Sequence, residues 1–170
     1  VEGDWNDIVD NVIADGEASA FEVFGSDNWI TGNNISGNSD IPFRVPGNWN
    51  EFSENVVDAA GEGAFLVAGG NNLFSGNQLT NSDIGFLVSG DGNKFEDNTL
   101  GGSSEACFSL SGDYITLRGN HCSGTGDGLR LDSTTGTVAT GNNWTGIAIA
   151  LRLYDASGNS FSNEAVTASL

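Results

Sequence analysis

The segment Asn71–Asp91, NNLFSGNQLTNSDIGFLVSGD, contains the repeating unit of this 170-residue chain, with Asn77 near its centre. Counting outward from Asn77 finds an asparagine every 22 residues, with one interval of 21, and Glu164 stands where the next asparagine would be. The row consists of Asn11, Asn33, Asn55, Asn77, Asn98, Asn120 and Asn142. A fixed period of this length is typical of stacked repeats, because one such unit cannot bury its apolar side alone.

Apolar residues keep the same period on both sides of this row. Three residues before each asparagine and before Glu164 stand Ile8, Ile30, Phe52, Phe74, Phe95, Leu117, Ala139 and Phe161. Two residues after each of these positions stand Ile13, Ile35, Val57, Leu79, Leu100, Cys122, Trp144 and Val166. Short runs that alternate apolar and polar residues between Gly, Asn and Ser are typical of strands. We therefore predict three short strands and three turns in each repeat.

The asparagines themselves have a structural explanation. A stacked column of amides can donate and accept along its length, and Asn tolerates the left-handed backbone of tight turns. A second row five residues earlier contains Asn6, Asn28, Asn50, Asn72 and Asn93, then Ile115, Thr137 and Asn159. We predict that both rows form structural ladders.

The repeat, seen as NWITGNNISG, NNLFSGNQLT and GDGLRLDS, resembles that of right-handed parallel β-helix proteins of the pectate-lyase-like and NosD-like type. The resemblance implies an all-β fold: a single right-handed parallel β-helix (solenoid) of about eight coils of 22 residues with Asn ladders, forming one domain over residues 1–170. It implies no single activity, because this fold carries lyases, hydrolases, carbohydrate-binding modules and surface fibres.

Composition excludes some classes of partner. Five basic and 23 acidic residues give a net charge of −18, which repels nucleic acid and anionic lipid surfaces. No apolar run is long enough to insert into a membrane. We expect Cys107, placed outward by the alternation, and Cys122, placed inward, to be two isolated thiols, with a bridge as the alternative.

A basic surface is the first candidate site. Outward positions of the third strand include Arg44, Arg130 and Arg152, with Asp132 and Tyr154 beside the last two. The resemblance implies that sugars bind along this strand, and guanidinium groups match the carboxylate of an acidic sugar. The alternative interpretation is a set of cross-strand ion pairs on an acidic surface.

An acidic row is the second candidate. Just before the third strand stand Glu17, Asp40, Glu62, Asp83, Glu105 and Asp127. Repeated carboxylates at strand spacing repel one another, so the row needs water, salt or cations. Asp40, Glu62, Asp83, Glu105 and Asp127 could hold a ladder of Ca²⁺; a solvated face is the alternative. No other cofactor is expected.

The sequence favours a protein without catalytic activity. His121 is the only histidine, and the motifs of common hydrolases and metalloenzymes are missing. Arg130 beside Asp127 and Asp132 is the one arrangement that suits a lyase. If the protein is an enzyme, we expect a polysaccharide lyase or glycoside hydrolase.

We expect a secreted or surface-displayed structural or adhesive module. The repeat reaches both ends of the sequence without a recognisable cap, and an uncovered solenoid end favours association. Copies of the chain could therefore stack end to end into filaments. The alternative is a module that binds or cleaves polysaccharide.

Overall fold

The computed structural model describes residues 1–37 and 40–167, with the exception of the Ala60 side chain. All its paired strands run parallel, and each coil pairs with the next at an offset of 22 or 21 residues. The predicted all-β solenoid is confirmed, with about seven turns of about 22 residues. The sequence predicted a single domain over residues 1–170. Residues 168–170 of that range lie outside the described part of the chain.

One sheet contains the strands that precede the ladder asparagines. Its order is β1-β4-β7-β9-β11-β14-β17-β20. These strands are β1 (Asp7–Val9), β4 (Trp29–Thr31), β7 (Glu51–Ser53), β9 (Leu73–Ser75), β11 (Lys94–Glu96), β14 (Thr116–Arg118), β17 (Val138–Thr140) and β20 (Ser160–Ser162). At about 4.8 Å between neighbours, eight strands make a rod about 34 Å long.

The second and third strands of each coil belong to one larger sheet. The second strands are β2 (Val12–Ala14), β5 (Asn34–Ser36), β12 (Thr99–Ser103), β15 (His121–Gly124), β18 (Asn143–Thr145) and β21 (Ala165–Thr167). The third strands are β3 (Phe21–Glu22), β6 (Phe43–Val45), β13 (Ala106–Leu110), β16 (Asp127–Asp132) and β19 (Ile149–Tyr154). In the two middle coils the second and third strands are continuous, as β8 (Val56–Val67) and β10 (Gln78–Val88).

The core is built from stacked phenylalanine rings. One column joins Phe21, Phe43, Phe65, Phe86 and Phe108 with ring centroids 4.4 to 5.3 Å apart. A second column of Phe52, Phe74 and Phe95 meets the first at steep angles. Seven of these eight rings are fully buried, and each buried apolar side chain stabilises the fold by about 1.5 to 3 kcal/mol. The predicted inward rows are thus confirmed as the core.

The first asparagine row is a hydrogen-bonded ladder. Asn77, which is fully buried, donates its side-chain Nδ2 to Asn98 Oδ1 at 2.9 Å and to the Phe52 carbonyl at 2.9 Å. Its Oδ1 accepts from the backbone N and the Nδ2 of Asn55, each at 3.0 Å. The residue before Asn77 is Gly76 with φ 63°, so the chain turns sharply just before the ladder. The predicted ladder is confirmed.

The second row forms a shorter ladder. Asn28 Nδ2 donates to Asn50 Oδ1 at 3.0 Å, and Asn50 N donates to Asn72 Oδ1 at 2.8 Å. After Asn93 the column continues with buried Ile115 and buried Thr137, whose hydroxyl has no hydrogen-bond partner among the described residues. Amide pairing in this row therefore holds the first half of the rod most firmly.

Candidate functional site

The outward row of the third strand is in register, as the repeat predicts. Ser109 lies opposite Arg130, Arg130 lies opposite Arg152, and Asp132 lies opposite Tyr154. These pairs place two guanidinium groups on neighbouring strands of one face. The row therefore brings Arg130, Arg152 and Tyr154 together at the edge of the sheet.

Asp127 is the residue that organises this face. Arg152 donates from Nε to Asp127 Oδ2 at 2.7 Å and from Nη2 to Oδ1 at 3.0 Å. Arg130 donates from Nε at 3.2 Å and from Nη2 at 3.1 Å to Oδ2. Arg152 Nη1 also lies 3.3 Å from the Tyr154 hydroxyl. One carboxylate thus fixes two arginines, and the cross-strand ion-pair interpretation describes this contact.

The position of Asp127 corrects the predicted acidic row. Its register partner is Ala106, whereas the predicted row required it to stand opposite Glu105. The register shifts between Gly101 and Ser103, so this coil is one residue shorter. Asp127 therefore occupies a covered position and is only 3% exposed. The 21-residue spacing from Phe108 to Leu129 was the signal in the sequence that could have shown this shift.

The charge of Asp127 is held by its partners. Burial of the carboxyl raises its pKa, but the hydrogen bonds and charges of Arg152 and Arg130 outweigh burial and lower the pKa below its ordinary value. The same hydrogen bond to Asp127 raises the pKa of Arg152. The group is therefore an ion cluster with both signs of charge at neutral pH, and Asp127 is not available there as a proton acceptor.

The remaining predicted saccharide ligands do not all join this cluster. Arg44 lies four coils away, about 19 Å along the rod, and its Nη2 contacts Asp40 Oδ1 at 2.8 Å. Hydrogen bonds from the Ile41 backbone and from Arg44 lower the pKa of Asp40. Asp132 accepts from the Ser133 hydroxyl at 3.0 Å. Of the five residues predicted to bind saccharide, the structure therefore gathers three.

The rest of the acidic row lines an open groove. Glu62, Asp83 and Glu105 lie on neighbouring coils beside Ile84 and Leu87. Asp40 takes part in the ion pair with Arg44. Within residues 1–37 and 40–167, no three His, Cys, Asp or Glu residues form a group suited to a metal ion. The Ca²⁺ ladder stays a prediction.

Cys107 and Cys122 form a disulfide, so the expectation of isolated thiols was wrong. Their Cα atoms are 6.2 Å apart, and both residues are fully buried. Alternation fails at Cys107, because this residue and both its neighbours in the strand, Ala106 and Phe108, are fully buried. A Cβ on Gly85 would lie 2.3 Å from the Leu100 side chain, which shows how close the opposite wall is. Strict alternation misplaced Cys107 for this reason.

These features define a protein class: a parallel β-helix repeat protein with paired asparagine ladders and one internal disulfide. The chain matches the family model described as "Periplasmic copper-binding protein (NosD)" over residues 47–169, and it therefore belongs to that family. No curated protein matches the chain. The described part of the chain contains no helix long and apolar enough to cross a membrane.

The copper in the family's description does not fit the donors of this chain. Copper in proteins is held mainly by imidazole, thiolate and thioether groups. The sequence has one histidine, His121, and no methionine. Both cysteines are joined in the disulfide, so neither offers a thiolate. We therefore derive no copper chemistry for these residues.

Proposed function

We propose that this chain is a non-enzymatic structural module of the NosD-type β-helix class that works outside the cytoplasm. The observation that carries the proposal is the continuity of the rod's interior. A buried ladder from Asn33 to Asn142 runs beside stacked phenylalanine columns. Such an interior gives a stiff rod that holds surface groups at fixed spacing.

The location rests on two observations. The family is described as periplasmic. The disulfide between Cys107 and Cys122 suits an oxidising compartment, since such bonds are rare in the cytosol. We propose a secreted or cell-surface location on this basis.

The arginine cluster favours a structural over a saccharide-binding role. Both Arg130 and Arg152 use their guanidinium groups on Asp127, and their side chains are only 30% and 35% exposed. A bound sugar carboxylate would have to compete with a buried carboxylate that already has ideal partners. The contacts therefore support a cross-strand clamp between two coils.

We further propose that copies of the chain stack end to end. At one end, Leu129, Trp144, Leu151, Phe161 and Val166 line an open apolar cavity. At the other end, β1 and β2 each pair with one neighbouring strand within the described part of the chain. A second copy placed one coil further would set its Asn11 next in the ladder after Glu164. In this arrangement β20 and β21 of one copy would pair with β1 and β2 of the next.

Sedimentation of the pure chain over a range of concentrations tests this stacking. We expect association that grows with concentration, and rods in micrographs. Val166→Lys and Ile13→Lys place a charge at opposite ends and should each reduce association. Gln78→Lys, an exposed outward change in the middle of the rod, is the control and should leave association unchanged. A monomer at every concentration would contradict the stacking, while circular dichroism separates this result from loss of fold.

The second candidate function is binding or cleavage of an acidic polysaccharide. It is favoured by the exposed edge that Arg130, Arg152 and Tyr154 share. Gel retardation with a panel of acidic polysaccharides tests binding, and absorbance of unsaturated products tests lyase activity. Binding that is lost in Tyr154→Ala and kept in Arg118→Ala, an arginine on the other sheet, would support this function in place of the structural one.

A further inference from the structure

Three consecutive coils carry tryptophan and carboxylate residues in alternation around a ladder asparagine. The segments are Trp5-Asn6-Asp7, Asp27-Asn28-Trp29 and Trp49-Asn50-Glu51. Because Asn6 donates to Asn28 and Asn28 donates to Asn50, the three segments are held in fixed register. The residues flanking the asparagines therefore form two columns on the rod's surface.

The first column lies at a corner of the coil. Trp5, Asp27 and Trp49 all have left-handed backbones, with φ of 61°, 56° and 60°. The Trp5 backbone N donates to the Ser26 carbonyl at 3.3 Å, which fixes the first two coils relative to each other. The sequence of side chains along this column is aromatic, acidic, aromatic.

The second column lies on the first sheet and has the opposite order. Asp7 lies opposite Trp29, and Trp29 lies opposite Glu51. These side chains point outward, because the next residue in the strand, Ile30 in the middle coil, is fully buried. Trp29 thus has a carboxylate on each neighbouring coil, and Asp27 stands between Trp5 and Trp49 in the first column. The two columns make a small checkerboard.

The rings on this surface are accessible. The exposed fractions of Trp5, Trp29 and Trp49 are 70%, 41% and 62%. The rings of Trp5 and Trp29 are 6.0 Å apart and inclined at 47°, so they leave indole faces open to a ligand. The fourth tryptophan, Trp144, is 2% exposed and belongs to the core. Large exposed apolar groups gathered in one place mark interaction surfaces.

The charge of the surface indicates the chemistry of its ligand. A cation over an indole face is attracted by the ring, and nearby carboxylates add to that attraction. The structure gives no ion pair to Asp7, Asp27 or Glu51 among the described residues. An apolar partner would bury these carboxylates without compensation, and an anionic partner would be repelled. Guanidinium groups suit both the indole rings and the carboxylates of this surface, since they stack on aromatic rings and pair with carboxylates.

We propose that this surface of residues 5–7, 27–29 and 49–51 binds an extended, arginine- and lysine-bearing segment of a partner protein. Its three coils span about 10 Å along the rod, which suits several basic side chains in succession. Rings and carboxylates repeated over three coils suit such a chain better than a single small amine. This inference goes beyond the structural role and does not depend on end-to-end stacking.

Titration with the peptide amide Arg-Gly-Arg-Gly-Arg tests the proposal, with tryptophan fluorescence and calorimetry as readouts. We expect Trp29→Leu to weaken binding about fivefold, the effect of about 1 kcal/mol of cation–π attraction. Trp49→Leu should also weaken binding of the peptide. It replaces Trp29→Leu as the test if Trp29→Leu lowers the Tm of the protein. Glu51→Gln should weaken binding about threefold, by loss of one partly exposed charge contact.

Glu105→Gln is the matched control, because it removes one exposed carboxylate from another face of the rod. It should change the affinity by less than half of the Glu51→Gln effect. An equal effect of the two variants would mean general attraction to the acidic rod and would overturn the site. A version of the peptide with citrulline in place of each arginine keeps the shape of the side chains and lacks their charge. If this peptide, or a neutral oligosaccharide, bound as tightly as the arginine peptide, the proposal would also be overturned. The absence of binding by the arginine peptide would overturn it as well.

Discussion

Glu164 accepts from Asn142 the hydrogen bonds that an asparagine accepts in the preceding coils. Its Oε1 lies 3.1 Å from Asn142 Nδ2 and 3.4 Å from Asn142 N. Its second oxygen, Oε2, accepts from the Trp144 indole at 2.7 Å. The longer acid thus continues the ladder and also satisfies a core tryptophan, which an asparagine in the same place is too short to do.

Removal of this acceptor should therefore destabilise the last coils. We expect Glu164→Ala to lower the free energy of unfolding by about 1 to 3 kcal/mol, because it leaves buried donors of Asn142 and Trp144 without partners. Glu164→Gln keeps an acceptor and should cost less. Denaturant unfolding of both variants measures the effect, with Glu105→Ala as a surface control. Equal midpoints for Glu164→Ala and the control would contradict the ladder role of Glu164.

The middle of the ladder gives a second prediction. Asn77→Ala removes an acceptor for Asn55 and donors for Asn98 and Phe52, and should cost on the order of 1 to 3 kcal/mol. The control is Asn81→Gly, because Asn81 is exposed and has φ 58°, a conformation that glycine adopts without strain and alanine does not. Thermal unfolding should separate the two variants by several degrees; matching Tm values would mean that the amide column contributes little.

The disulfide gives a third prediction. Cys107 and Cys122 are 15 residues apart, and closing a loop of that length stabilises a fold by about 3 kcal/mol in the chain-entropy model. A thiol reductant should therefore lower the Tm of the protein. The double variant Cys107→Ala with Cys122→Ala is the control, and its Tm should not respond to reductant. If complete reduction of the disulfide left the Tm of the wild-type protein unchanged, the disulfide would not contribute to its stability.

The Asp127 cluster gives a prediction about pH. The folded-state pKa of Asp127 is lowered, so its contribution is complete above the ordinary aspartate pKa of about 4 and is lost as the pH falls through the lowered value. We expect Asp127→Asn to lower the free energy of unfolding by about 1 to 2 kcal/mol at pH 7, by loss of charged hydrogen bonds.

Protonation of the other carboxylates also relieves repulsion in this acidic chain, so the informative quantity is the difference between wild type and Asp127→Asn at each pH. That difference should shrink below pH 4. Urea unfolding at pH 7, 5, 4 and 3 measures it. A difference that stays constant down to pH 3 would mean that the charge of Asp127 is not the stabilising feature.

Much of the fold could be predicted from the sequence. The 22-residue period, the inward apolar rows and the buried ladder from Asn33 to Asn142 all follow from the repeat. They are predictable because stacked coils place equivalent residues on top of one another, so a regular sequence has only one regular way to bury its apolar side. The outward column that pairs Arg130 with Arg152 follows for the same reason.

The local departures were decided by the tertiary structure. One shortened coil moved Asp127 from the acidic row to a covered position between two arginines, and a break in the alternation of buried and exposed residues placed Cys107 beside Cys122. A one-residue change in register alters which side chains meet. Three consecutive buried residues, Ala106 to Phe108, break the alternation from which the position of Cys107 was predicted. The repeat by itself determined where the coils and ladders lie. Only the packed structure decided which groups meet at the irregular positions, because contacts there depend on distances across coils that no spacing along the chain records.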